Sequence, residues 1–231
     1  MFHRSMPRTR FGLMSATVIA LLVLSAGSVA ADTSPGPGTV TQNGKSADSY
    51  TGGCDSNGDG TTTCWDAGLS VFAGKMSDSF SGVSHANQVC ASVDSYTVDD
   101  ATGEYIGEPV FESGCKVDLP NGRLTFGRNL TSATLATTTI SIEQYVCDEY
   151  TCVPGASRDV TVGGTWTGTG PTYFQKSRSS GNDGTCRFND SGKGSFRDGS
   201  FSGTVAGHSL DGAYGSISDG KFTYRSRCSE V

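Results

Sequence analysis

Eight cysteines, at positions 54, 64, 90, 115, 147, 152, 186 and 228, constrain this chain more than any other feature. Successive pairs bracket runs rich in Asp, Asn, Thr and Gly, the residues that build tight turns. Cys90 and Cys115 are equidistant from a midpoint between Thr102 and Gly103, as facing residues of one hairpin must be. Cys147 and Cys152 flank Asp148, Glu149, Tyr150 and Thr151; Cys54 and Cys64 are centred on Asp59; Cys186 and Cys228 straddle Gly207 and His208. Sequential pairing into four disulfides is therefore expected, in an oxidising compartment. A Cys/His zinc site is disfavoured, because outside the N-terminal segment only His85 and His208 are present and no CxxC spacing occurs.

Between the cysteines no sustained 3.6-residue period argues for helices. Short runs such as Leu69-Ser70-Val71-Phe72 and Asp159-Val160-Thr161-Val162 alternate β-branched or aromatic residues with small polar ones, as half-buried antiparallel strands require. Asp-Gly recurs at 59, 183, 198, 211 and 219, a pair suited to hairpin turns. The expected fold class is all-β: an antiparallel sandwich or barrel-like assembly of about eleven short strands, stapled by disulfides.

The chain opens with Arg4, Arg8 and Arg10, an apolar run from Phe11 to Leu24, and Ser28-Val29-Ala30. That is the plan of a secretory signal peptide over residues 1–30, with an apolar run too short to span a bilayer. Residues 31–50 read as a flexible tether. Residues 51–231 read as the β-rich domain, divisible into lobes 51–170 and 171–231. A secreted, extracellular monomer with no membrane span follows.

Charge is spread unevenly. Residues 31–170 carry 6 basic and 17 acidic side chains, and residues 171–231 carry 8 and 6. This balance disfavours nucleic acid, since phosphate binding needs a concentrated basic patch. Lys176, Lys221, Arg225 and Arg227 are instead expected to meet the acidic first lobe. The partner expected is an extracellular protein or a carbohydrate, gripped by aromatics near turns and strand ends: Trp65, Trp166, Tyr105, Tyr150 and Tyr173.

Two motifs bear on chemistry. Counted from Asp55, the segment supplies Asp55, Asn57, Asp59, the Thr61 carbonyl, Thr63 and Asp66, with Gly60 at the sharp-turn step. It resembles the calcium loops of EF-hand and dockerin modules, and the resemblance implies calcium held by Asp55, Asn57, Asp59, Thr61 and Asp66. The second loop and the exit helix of those modules are missing, and the competing expectation is a polar turn pinned by Cys54–Cys64. No other cofactor is expected. Gly215 to Phe222 follows a phosphate-loop pattern until Phe222, and reads as a hairpin.

Nucleophile-elbow and zinc-protease motifs are absent. The expected role is structural or binding, without catalysis of its own. The alternative is a secreted hydrolase acting on carbohydrate through paired carboxylates, with Glu108 and Glu112 as candidates on one strand face.

Overall fold

The computed structural model describes residues 38–78, 82–147, 152–182 and 186–228. Eleven strands form one antiparallel sheet: β1 (Gly38–Ser56), β2 (Thr61–Asp78), β3 (Gly82–Asp99), β4 (Tyr105–Lys116), β5 (Leu124–Phe126), β6 (Ser132–Cys147), β7 (Cys152–Gly168), β8 (Tyr173–Asn182), β9 (Cys186–Val205), β10 (His208–Ser209) and β11 (Ala213–Cys228). Several are far longer than the short strands expected; β9 has 20 residues. The signal peptide lies outside the described residues.

The sheet closes on itself. β1, β2, β3, β4, β6, β7, β9 and β11 pair in that order, and β11 returns to β1. Of the two architectures expected from sequence, this is the barrel. An eight-stranded barrel has an interior that side chains just fill. Here Leu69, Val71, Val89, Ile140, Val162, Trp166, Phe201 and Ile217 fill it, each 2% exposed or less. Burying each large side chain contributes about 1.5–3 kcal/mol. Leu210, its N–H donating to the Gly203 carbonyl, closes the end that carries the hairpin turns at 57–60 and 100–104. Leu119 and Leu130 are equally buried at the other end. There the Arg197 guanidinium donates to the carbonyls of Gly170 (2.8 Å) and Asn129 (3.2 Å), tying the β7–β8 corner to the turn before β6.

Below the barrel the strands run on. β7 and β8 share one edge of β9, with Gly168 facing Gly199 and, after the corner, Tyr173 facing Phe196. β8, β9, β11, β1, β2 and β3 thus continue as an open extension. The change happens at a row of small residues: Gly194, Gly220, Gly44, Gly74 and Ala86 face one another across β9, β11, β1, β2 and β3. A methyl group at Gly44 would run into the Ala73 carbonyl and the Gly74 Cα, so the backbones meet where only glycine fits.

Several expectations change here. Residues 38–50 are not a tether but the first part of β1, bonded on both edges by β2 and β11. The threonines and serines of this segment can alternate faces of a sheet once neighbours on both sides satisfy the backbone. No division at residue 170 appears: β11 pairs with β1, and β9 with β7, inside one compact unit. Asp198-Gly199 and Asp219-Gly220 sit inside β9 and β11, and Gly215 to Phe222 is strand, not hairpin. Their glycines serve close backbone approach, whereas Gly60 and Gly212, with φ of 87° and 80°, occupy turns as expected. Asp183-Gly184 and Tyr150 lie outside the described residues.

The disulfides Cys54–Cys64 and Cys90–Cys115 are present. The register also places Cys147 opposite Cys152 and Cys186 opposite Cys228, the positions sequential pairing requires. The side chains of these last four are outside the described residues.

Candidate functional site

On β1, Ala47 and Ser49 point into the barrel, so Asp48 and Tyr50 point out. The same alternation turns Asp66 of β2, Asp94 and Tyr96 of β3, Tyr214 of β11 and Asp198 of β9 outward. Tyr50 faces Tyr214 across the β1–β11 ladder, and Asp66 faces Asp94 across β2–β3. Gly52 and Gly68 form the floor between them: Asp66 folds over Gly52 and the Tyr50 ring lies beside Gly68. Tyr50 and Tyr214 are 55% and 61% exposed. Three tyrosines and four carboxylates therefore share one wall of the barrel.

Hydrogen bonds fix the tyrosines. Tyr214 donates to Asp198 Oδ1 at 2.8 Å and Tyr173 donates to the same oxygen at 3.2 Å. The Asp198 bond, with burial, pushes the Tyr214 hydroxyl up to about 12. Burial, then the charge and hydrogen bond of Asp66, raise Tyr50 as well. Ser216 donates to Asp48 at 2.7 Å, but burial outweighs that bond and Asp48 titrates above the usual carboxylate range. Asp94 is raised too, by burial first and then by the facing charge of Asp66. Among the described residues none of these carboxylates has a cationic partner; the ion pair there joins Arg158 to Glu112. The wall thus presents ring faces beside carboxylate acceptors without cationic partners, which suits a ligand rich in hydroxyl donors.

The predicted calcium-loop residues are brought together only in part. Asn57 donates to the Thr61 and Thr63 hydroxyls, and Asp59 Oδ1 accepts from the Thr61 N–H and hydroxyl. Those bonds, with the Thr61 hydroxyl bond first, hold the Asp59 carboxyl below its ordinary range. Asp55 faces Thr63 and Asp66 faces Gly52, three pairs apart along the β1–β2 ladder. An odd offset puts Asp55 and Asp66 on opposite faces, so Asp66 does not join the cluster that Asn57, Asp59, Thr61 and Thr63 form. Among the described residues no group of three or more His, Cys, Asp or Glu side chains is placed to hold a metal ion.

Glu112 is committed to Arg158, Oε1 to Nε at 2.8 Å. Glu108 lies in the irregular stretch where the β3–β4 register shifts, beside Gly107 at φ 76°. The even spacing that placed both on one face is broken by that bulge. Of the predicted aromatics, Trp166 is wholly buried, Trp65 stacks on His208 at 4.3 Å between centroids, and Tyr105 and Tyr173 are exposed. Tyr50 and Tyr96 stand inside strands and Tyr214 at the start of β11, so turn and strand-end aromatics alone do not point to them. Their signal was the small inward neighbours: Ser49 and Thr51 around Tyr50, Ala213 and Gly215 around Tyr214.

The chain matches no protein-family model, and no curated protein or solved structure matches it. No helix among the described residues is long and apolar enough to cross a membrane.

Proposed function

We propose that this is a secreted, disulfide-stabilised binding protein without catalysis of its own, and that it takes a polyhydroxylated, carbohydrate-type ligand across the outer wall. The observation that carries this reading is the Tyr50–Tyr214 pair, exposed on a rigid barrel and ringed by Asp48, Asp66, Asp94 and Asp198. Sugar rings present an apolar face to tyrosine and hydroxyl donors to carboxylates. A filled interior supports a surface rather than a pocket as the place of binding. Charged side chains outside and apolar ones inside are the reverse of a membrane-spanning barrel. Two disulfides agree with an oxidising compartment.

The hydrolase alternative keeps one observation in its favour, the facing Asp66 and Asp94 with Asp94 raised. That pair stands on an open wall, where nothing excludes water from a reacting bond. The test is co-sedimentation of residues 31–231 with a panel of neutral polysaccharides, alongside Tyr50→Ala/Tyr214→Ala. Retention by at least one polysaccharide, reduced about tenfold or more in the double variant, is expected on the strength of aromatic anchors. Equal retention of both proteins, or retention of neither, overturns the reading.

A further inference from the structure

The face that lines the barrel interior does not end at the glycine row. Directly paired residues share a face, and the register of β8, β9, β11, β1 and β2 runs without a shift through the extension. Lys176 faces Lys193, and Lys193 faces Lys221. Lys221 faces Asn43, which faces Lys75. One pleat higher, Lys45 faces Asp219. Two and more residues lower on the same side come Arg178, Arg225, and the facing pair Arg187 and Arg227. Nine of the 14 lysines and arginines in the described residues therefore occupy one face, and Asp219 is the described carboxylate among them. A depression of about 430 Å³ at the top of this face is lined by Asn43, Lys176, Lys193, Ser195, Asp219 and Lys221.

Like charges directly opposite in a sheet repel, and no ion pair to these cations exists among the described residues. Lysines on an edge strand guard against aggregation, which accounts for Lys176 and Arg178 on β8. It does not account for Lys193 and Lys221, on strands paired along both edges. The acidic lobe expected to neutralise them is turned elsewhere: Asp48, Asp66, Asp94 and Asp198 belong to the opposite face of the sheet.

We infer that this face is a docking surface for a linear anionic polysaccharide. The cationic row crosses strands about 4.8 Å apart, so its charges recur at the pace of an extended acidic glycan bearing one anion per sugar. Phe174 is the aromatic residue on the face, and it lies under the Lys176 ammonium at 5.7 Å. Single-stranded nucleic acid would need successive aromatic platforms for its bases, which the face lacks among the described residues. The net negative charge of the chain hides the patch, because the acids sit on other surfaces. This site is separate from the Tyr–Asp wall and does not depend on it.

The experiment is binding of residues 31–231 to heparin, as a linear sulfated probe, across a salt series. The comparison is with Lys176→Gln/Lys193→Gln/Lys221→Gln and the charge-matched control Lys116→Gln/Arg123→Gln/Arg128→Gln. Expected is salt-dependent binding that falls about tenfold or more in the row variant and less than about threefold in the control. Absence of wild-type binding at low salt, or equal loss in both variants, overturns the proposal. So does tighter binding to duplex DNA or to phosphatidylserine vesicles than to heparin. Concentration-dependent self-association of the wild type without glycan, abolished in the row variant, would assign the face to the acidic wall of a second copy and also overturn it. Circular dichroism of each variant confirms that loss of binding is not loss of fold.

Discussion

The upper and lower halves of β9 and β11 are one pair of strands with two fates. In the barrel their inner face carries Phe201 and Val205 of β9 and Ala213 and Ile217 of β11, all buried. Past Gly194 and Gly220 the same face carries Arg187, Lys193, Lys221, Arg225 and Arg227. The opposite face inverts in the other sense, from Asp198 and Tyr214 above to Phe188, Phe222 and Tyr224 below. A strand's period of two only divides residues between faces; which face becomes core depends on whether the sheet closes over it. Closure ends where a row of glycines lets neighbouring backbones touch.

Ways to break this contrast fall in a clear order. Trp166→Ala removes a wholly buried ring packed on Phe201 at 4.6 Å and should lower stability by about 3–5 kcal/mol in chemical denaturation. A loss near zero would mean the barrel is not the stabilising half. Gly44→Val puts bulk into the row where the sheet changes fate, and about 1–3 kcal/mol of destabilisation is expected from overpacking. The same substitution at Thr41, in the extension, should cost less. Lys193→Thr relieves repulsion from Lys176 and Lys221 and should stabilise by up to about 1 kcal/mol at low salt. That gain should vanish near 1 M salt, where the Debye length is about 3 Å.

Asp94→Asn tests the wall. Burial and Asp66 raise the native carboxyl above its unfolded value, so the folded state binds this proton more readily. Stability is then favoured at low pH and declines as pH rises through the unfolded and then the native value. The variant should melt slightly higher at pH 7, by less than about 1 kcal/mol after solvent screening, and show no gain near pH 3. The smallest effect is expected of calcium. With Asp66 on the face opposite Asp55, the Asp55 to Asp66 segment should give the same melting midpoint in EGTA and in excess calcium. A rise of several degrees would show that the hairpin rearranges to gather its oxygens.

Much of the fold was legible from residues. Symmetric cysteine spacing located hairpins because facing residues lie equally far from a turn, and Cys90–Cys115 obeys this even across the β3–β4 bulge. Strand length was not legible. Asp198-Gly199 and Asp219-Gly220 looked like turns, since the local chemistry of Asp-Gly is the same whether the glycine supplies a positive φ or a close approach. Only long-range pairing decides between them. The Tyr–Asp wall was hidden for the same reason. Asp66 and Asp94 lie far apart in sequence, and nothing local tells which residue each will face. The basic face was half seen: Lys176, Lys221, Arg225 and Arg227 stood out as a cluster, but Lys45 and Lys75 join it only through register.

The most direct test is native-state hydrogen exchange read separately on the two halves of β9. Residues 199–205 close a packed barrel, whereas 187–195 lie in a single open layer, although both are hydrogen-bonded along both edges. Exchange about tenfold or more slower in 199–205 than in 187–195 is the predicted result. Equal protection along the whole strand would contradict the account, because barrel and extension would then open as one unit.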